Sequence, residues 1–181
     1  MPRDVDSWMI GDRHPFLGNY SVAIACEGDQ KGKIMGSATN FFSGGGNTLD
    51  CSFDVMDCAQ LGADNSYNVP CFFTQSEVCI TNVHSNGAMR SYGGIQAMLI
   101  QEDALEAASH KIEMLPEDVC KMNFYKPGDT TPFGQELKYC YIDKVWERLK
   151  KTSEFETRLK GVQNFNEENR WRKRGISMVP L

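Results

Sequence analysis

Alternating polar and apolar positions dominate the first half of the chain and predict β-strands. Residues 20–26 and 33–42 follow this pattern on either side of residues 27–32, where charged residues and glycine favour a turn. The sequence therefore predicts a β-hairpin, with the second strand ending at the glycines 44–46. Residues 71–81 alternate again and predict a third strand.

Apolar positions at helical spacing dominate the second half of the chain. Asp50 is a candidate N-cap, and Pro116 occupies the first position of a short helix. The other predicted helices are residues 51–63, 94–111, 142–160 and 162–173. The predicted core-facing residues of helix 94–111 are Ile95, Met98, Leu99, Leu105 and Ala108.

Strands precede helices, so the sequence predicts an α+β fold with a hairpin and mixed strands followed by helices. Residues 176–179 read as the beginning of a further strand. A strand needs partners, and none follows this one, so we expect the sequence to be a piece of a longer protein.

Composition agrees with one globular domain: 41% of the 181 residues are hydrophobic and 24% are charged. No apolar stretch approaches the roughly 20 residues that span a bilayer, and the acidic N-terminus lacks the apolar core of an export signal. We therefore expect a cytoplasmic protein that does not associate with membranes.

The net charge of −5 is unevenly distributed. Residues 146–174 contain nine basic and five acidic residues, which gives +4, while the rest of the chain carries −9. The basic run 170–174 is too short, in an otherwise acidic chain, to indicate nucleic-acid binding. A solvated helix end or a contact with another part of a larger protein is the preferred interpretation.

The seven cysteines are scattered and none forms a C-x-x-C pair, so their spacing predicts neither a zinc site nor an iron–sulfur cluster. Reduced and mostly buried thiols are expected. Of the histidines, His14 lies in a stretch that we interpret as structural, and His84 and His110 are isolated surface or capping residues.

The most informative run is S-N-G-A-M-R-S-Y-G-G-I-Q at residues 85–96, which leads directly into a predicted helix. Glycines let backbone N–H groups approach a ligand, and a helix N-terminus attracts anions. Arg90 in the same turn could bind an oxyanion with two hydrogen bonds. The alternative is an ordinary loop-to-helix junction with an exposed arginine.

This run resembles S-N-T-A-F-R-G-F-G-G-P-Q of the molybdenum hydroxylases, the family of xanthine dehydrogenases and aldehyde oxidases. Ser91 replaces a glycine of that motif and Gly87 a threonine. Four further blocks resemble motifs of the family in the same order, and together they cover almost the whole chain. They are R-H-P-F-L at residues 13–17, F-S-G-G-G-N-T at 42–48, N-F-Y-K-P-G-D at 123–129 and F-N-E-E-N-R-W-R-K-R-G at 165–175.

The resemblance implies an internal part of the molybdopterin-binding region, with molybdenum held by a pterin dithiolene as the cofactor. About residues 1–140 would end the first molybdopterin-binding domain, and about 141–181 would form connecting helices and the start of the second. Arg90 matches an arginine that contacts the cofactor, and Tyr92 matches a phenylalanine that stacks on substrates. Cys58 stands where xanthine dehydrogenases place a substrate-binding arginine, which favours the aldehyde oxidase branch.

The family's catalytic glutamate and most of its cofactor-binding segments match no part of this sequence, and no iron–sulfur or FAD segment is present. We therefore predict no catalytic residue and no protein metal ligand. The resemblance implies a truncated oxidoreductase that is inactive alone. The alternatives are a non-catalytic interaction module that associates with itself or with a full-length homologue, and a poorly folded remnant.

Overall fold

The computed structural model describes residues 11–180. It has a three-stranded sheet and five helices, so the predicted α+β class is confirmed. The strands are β1 (Phe16–Ile24), β2 (Ile34–Gly46) and β3 (Cys71–Ile80). The helices are α1 (Ser52–Leu61), α2 (Gly94–Lys111), α3 (Pro116–Asn123), α4 (Ile142–Thr152) and α5 (Phe155–Glu168). None of these helices combines the length and apolar character that crossing a bilayer requires.

The sheet has the order β1-β2-β3. β1 and β2 form the predicted antiparallel hairpin, although β1 begins at Phe16, earlier than expected. β3 lies parallel to β2, and α1 occupies the connection between them. Parallel neighbours need such a crossover, because a tight turn can only join antiparallel strands.

One face of the sheet packs against α1 and α2. Phe41 of β2 contacts Met56 and Ala59 of α1 and Ala97 of α2 in a buried cluster. Gly18 of β1 lies so close to α2 that a β-carbon there would be 2.6 Å from the Ile100 side chain. Small residues therefore set the short distance between the sheet and the helices.

The opposite face of the sheet is exposed. Leu17 pairs with Phe42, and Phe73 pairs with Ala38, so these four side chains share one face. Leu17 is 61% exposed and Phe73 is 56% exposed. We call this surface, formed by Leu17, Ala38, Phe42 and Phe73, the outer face of the sheet.

A second core joins α3, α4 and α5 to the hairpin. The Phe124 ring stacks on Tyr67 at a centroid distance of 5.9 Å and meets the edge of Trp146 at 5.1 Å. Next to it, the buried Asn123 amide accepts a hydrogen bond from the Ile34 N–H and donates to the Gly32 and Val119 carbonyls. The 123–129 block is therefore structural.

The predicted core-facing side of helix 94–111 is partly wrong. Ile95 and Leu99 are 52% and 70% exposed. Leu105 is buried as predicted, and the other residues that face the core are Ala97, Gln101, Ala104 and Ser109. The close approach of α2 to β1 and α1 selects small side chains, a requirement that a search for large apolar residues does not register.

Three helix boundaries also differ from the prediction. Asp50 makes no cap; it has a φ of +38°, and α1 begins at Ser52 without a side-chain cap. The predicted helix 142–160 is interrupted at Glu154, whose left-handed φ of +51° separates α4 from α5. α5 ends at Glu168, because Asn169 has an extended backbone; its N–H and its side-chain amide both donate to the Phe165 carbonyl.

Two further expectations need correction. Residues 176–179 form no strand within the described range; Ile176 and Met178 cover the second core instead. All seven cysteines are free, as expected, but only Cys120 is buried. The exposed cysteines are Cys26, Cys58, Cys71 and Cys79.

Candidate functional site

Three of the five sequence blocks converge where α1 and α2 begin. Arg13 forms a parallel bridge with Gly87, which places the 13–17 block beside the 85–96 run. The Asn86 side chain donates to the Gly44 carbonyl at 2.7 Å, and the Asn86 N–H donates to the Gly45 carbonyl at 3.1 Å. The end of β2 therefore fixes the start of the 85–96 run.

His14 is the buried centre of this junction and is only 2% exposed. Its Nε2 lies 2.8 Å from the Ser52 hydroxyl at the start of α1, and its carbonyl accepts from the Gln96 side chain in α2. Burial lowers the pKa of His14, and a hydrogen bond to the Gly87 backbone opposes this shift. A neutral His14 thus connects α1, α2 and the 85–96 run, in agreement with its predicted structural role.

Residues 89–93, which we call the Arg90 turn, have an unusual backbone. Ser91, Tyr92 and Gly93 have φ values of +73°, +45° and +95°. Left-handed backbone in non-glycine residues is strained by roughly 1–3 kcal/mol each, so surrounding contacts must maintain it. Hydrogen bonds from Tyr92 N–H to the Met89 carbonyl and from Gly94 N–H to the Ser91 carbonyl close the turn.

Gly93 brings this turn into contact with α1. A β-carbon at Gly93 would lie 2.1 Å from the Val55 carbonyl oxygen, well inside contact distance. The close approach that the glycines permit here is therefore to another part of the chain. At Gly94, by contrast, an added β-carbon would meet no atom within 4 Å.

Arg90 is exposed, and within residues 11–180 its guanidinium forms no ion pair. Tyr92 is half-buried against the face of α1 that carries Cys51, Asp54 and Cys58. Partial burial, followed by the influence of these neighbours, raises the pKa of the Tyr92 hydroxyl. Tyr92 thus lies on the side of α1 that carries Cys58, and it follows Arg90 by two positions in the sequence.

Cys51 and Asp54 are site residues that the sequence reasoning missed. Together with Cys58 they are spaced by three and four positions, which places them on one face of α1. This spacing was visible in the sequence. The spacing is relevant to the site because Tyr92 lies against the same helix face.

The turn has features that suit an anionic group. Arg90 offers an exposed guanidinium, and the space beside Gly94 at the N-terminus of α2 is open. The buried Oε1 of Gln96 has no hydrogen-bond partner among the described residues. Within residues 11–180, no three His, Cys, Asp or Glu side chains are grouped closely enough to hold a metal ion.

Glu102 lies two turns further along α2 in a separate polar cluster. Its carboxylate accepts from the Tyr67 hydroxyl at 2.7 Å and from the Asn65 amide at 2.8 Å. Burial raises the pKa of Glu102, and burial also raises the pKa of the neighbouring Cys120 to about 12. Asn65 also donates to the Pro180 carbonyl, so this cluster holds the C-terminal segment.

The chain matches a family described as the molybdopterin cofactor-binding domain over residues 1–124. It is 39% identical over 180 residues to a xanthine dehydrogenase/oxidase of Gallus gallus, and equally so to a xanthine dehydrogenase of Oryza sativa subsp. japonica. Each of these alignments covers 99% of the chain but 13% of the relative.

Solved structures share the fold. The aldehyde oxidoreductase from Desulfovibrio gigas aligns with a TM-score of 0.72 and 23% identity, over 84% of this chain and 16% of that protein. Quinoline 2-oxidoreductase from Pseudomonas putida 86 aligns with a TM-score of 0.73 and 17% identity, over 86% of this chain and 20% of that protein.

Replacing Gly93 tests the contact that holds the Arg90 turn against α1. We expect Gly93→Ala to lower the free energy of unfolding by at least about 3 kcal/mol, because it adds a clash and a disfavoured φ. Gly94→Ala is the matched control, since its β-carbon would meet open space, and a gain of at most about 1 kcal/mol is expected. Equal effects in chemical denaturation would contradict this view of the turn.

The buried His14 makes stability depend on pH. Its folded-state pKa lies below the ordinary 6.5, so the unfolded chain takes up the proton first as the pH falls. The contribution of neutral His14 to the free energy of unfolding is complete above pH 6.5 and is lost as the pH falls below this value. Between about pH 7 and pH 5, wild type should lose more stability than His14→Gln.

Thermal unfolding across this range measures the difference. His110→Gln is the control, because His110 is exposed. The same pH slope in wild type and His14→Gln would show that His14 does not titrate in this way.

Proposed function

The chain belongs to the molybdenum hydroxylase family through its molybdopterin cofactor-binding domain, and we propose that it supplies one wall of a molybdenum–molybdopterin site. The observation that carries the proposal is the Arg90 turn, which presents an exposed guanidinium from a hydrogen-bonded turn at the start of α2. Arg90 would hold the cofactor through charged hydrogen bonds.

Tyr92 and Cys58 form the proposed substrate-facing part of the same wall. An aromatic ring at Tyr92 can stack on a flat substrate, while its hydroxyl faces the polar side chains of α1. Cys58 offers no guanidinium for a purine, so we propose aldehydes and N-heterocycles as the substrate class. Assignment to the aldehyde oxidase branch therefore rests on Cys58 alone, since the relatives reported above are xanthine dehydrogenases.

The division of labour follows from these residues. When bound, the molybdenum cofactor would supply the oxygen-transfer and two-electron redox chemistry. Arg90 binds the cofactor, and Tyr92 orients the substrate by stacking. His14 and Gly93 keep the turn in place, His14 by joining α1 to the 85–96 run and Gly93 by contacting Val55.

The chain spans 13% of the length of the curated relatives that it matches. We infer that hydroxylation requires segments of the kind that the rest of those relatives contains, including a general base, and that this chain alone does not turn over substrate. We assign residues 1–140 to the end of one molybdopterin-binding domain and residues 141–181 to the connection with a second. A cytoplasmic location fits the free cysteines.

An interaction module is the second candidate, favoured by the outer face of the sheet. Leu17 and Phe73 are more than half exposed there, and covering them with another polypeptide would remove their apolar surface from water. The partner would be a second copy of this chain or a longer homologue. In this role the chain would modulate or complete a partner instead of binding cofactor by itself.

Arg90→Ala tests the cofactor role. We expect wild type, produced in a host that makes molybdopterin, to retain molybdenum and pterin, and the variant to lose at least about nine tenths of both. Elemental analysis and pterin fluorescence after oxidation measure the content. Arg158→Ala, at an exposed position of α5, is the control, and both variants should melt like wild type.

Equal retention in Arg90→Ala and wild type would remove the assigned role of Arg90. A wild-type chain that contains neither molybdenum nor pterin would contradict cofactor binding by this chain and favour the interaction module.

Phe73→Glu tests the interaction module, because it places a charge on the outer face of the sheet. We expect it to reduce self-association, or co-purification of a homologue, by about tenfold or more. Sedimentation equilibrium measures self-association, and Tyr139→Glu, exposed in the loop before α4, serves as the control. A wild-type chain that stays monomeric and captures no homologue would contradict this second candidate.

A further inference from the structure

Arg13 bonds the Arg90 turn from a segment far away in sequence. Its Nη1 donates to the Arg90 carbonyl oxygen at 2.8 Å and lies 3.3 Å from the Ser91 hydroxyl, across 77 and 78 residues of sequence. The first contact is to the peptide group that joins Arg90 to Ser91. Nothing in the family resemblance assigned a role to this arginine.

The backbone of Arg13 is itself held in place. Arg13 is paired with Gly87 in a parallel bridge, and the carbonyl of the preceding Asp12 accepts from the Gly87 N–H at 3.0 Å. The following residue, His14, is buried and bonded to Ser52. The guanidinium therefore projects towards the turn from an anchored position.

Arg13 contacts the Arg90 turn at the point where the strained, left-handed backbone begins. Ser91 is the first of the left-handed residues, and within residues 11–180 the Arg90 carbonyl has Arg13 as its only hydrogen-bond partner. At the other end, Gly93 is fixed against Val55. The Tyr92 side chain leaves the backbone between these two fixed points, and the Arg90 side chain leaves it directly before the first of them.

We propose that Arg13 is the positioning residue of this site: it holds the Arg90–Ser91 peptide so that Arg90 presents its guanidinium while Tyr92 lies against α1. This inference rests on the proposed function for its purpose, although the positioning itself can be measured without a cofactor. Because Nη1 is engaged with the turn, Arg13 acts through Arg90 and Tyr92.

Limited trypsin digestion measures the positioning directly, because Arg90–Ser91 is a trypsin cleavage site with an exposed arginine. The protease must pull this peptide out of the turn, and Arg13 opposes that movement. Arg13→Ala should raise the initial rate of cleavage after Arg90 by about tenfold, as expected for the loss of one charged hydrogen bond. Cleavage after the exposed Lys138, measured in the same digest, should not change.

Alkylation of cysteines gives a second, independent measurement. Cys51 and Cys58 lie beside Tyr92, whereas Cys71 is exposed on β3. If Arg13 keeps Tyr92 against α1, iodoacetamide should label Cys51 several-fold faster in Arg13→Ala, with no change at Cys71. Peptide mass spectrometry resolves the three sites.

Arg13→Lys is the conservative variant. A lysine retains the charge and has enough donors for both oxygens, but its side chain is shorter and lacks the planar guanidinium that fixes Nη1, so it should restore part of the protection. If Arg13→Ala lowers the melting temperature enough to raise cleavage after Lys138 as well, the same two measurements are made on Arg13→Lys. There, faster cleavage after Arg90 and unchanged cleavage after Lys138 support the proposal.

Unchanged cleavage after Arg90 in Arg13→Ala overturns the proposal, as does acceleration that is equal at Arg90 and Lys138 in Arg13→Lys. Neither measurement requires molybdenum or pterin. A wild-type chain that binds no cofactor would therefore overturn the proposed function and leave the positioning role standing. Where wild type does bind, Arg13→Ala should lower molybdenum content and Arg158→Ala should not.

Discussion

The contact between the Gly93 α-carbon and the Val55 carbonyl is the constraint on which the rest of the site depends. It sets how closely the start of α2 approaches α1. At that separation Ala59 and Ala97 meet above Phe41 in one buried cluster, and larger residues would not fit. The same contact fixes the end of the Arg90 turn, so the packing of the first core and the direction of the turn have one cause.

A second constraint acts from the β1 side. The segment before β1 lies beside the 85–96 run. From this segment, His14 bonds to α1 and α2, and Arg13 bonds to the Arg90 turn. The 13–17, 42–48 and 85–96 blocks are distant in sequence and meet here, while the 123–129 block holds the second core. Residues of three motif blocks thus hold one short turn, and Asn123 of a fourth block holds the second core.

Short-range sequence patterns predicted the strands and helices that short-range interactions determine. Alternation predicted the hairpin and β3, and helical spacing predicted α2 with its observed bounds. The core-facing side of α2, the break at Glu154 and the unpaired segment 176–179 depend on distant contacts, which no window of sequence contains. The motif resemblance supplied Arg90, Tyr92 and Cys58.

The residues around those three could not be predicted in the same way. Cys51 and Asp54 matter because Tyr92 lies against α1, and Arg13 matters because it reaches across 77 residues to one carbonyl. A motif match transfers the residue that touches a ligand, since that residue belongs to the matched run. It does not transfer the hydrogen bond that aims the residue, because that bond exists only in the folded chain.

A turn that is already formed can contribute to binding even where the chain supplies only part of a site. The Arg90 turn is maintained by contacts within residues 11–180, so a ligand or a further protein segment does not have to order it on binding. Ordering a flexible loop opposes binding, and a turn that is already formed avoids that cost. The outer face of the sheet is different: its exposed Leu17 and Phe73 would gain a buried environment if another polypeptide covered them. The Arg90 turn lies on the side of the sheet that carries α1 and α2, so the two proposed roles concern different faces of the same small domain.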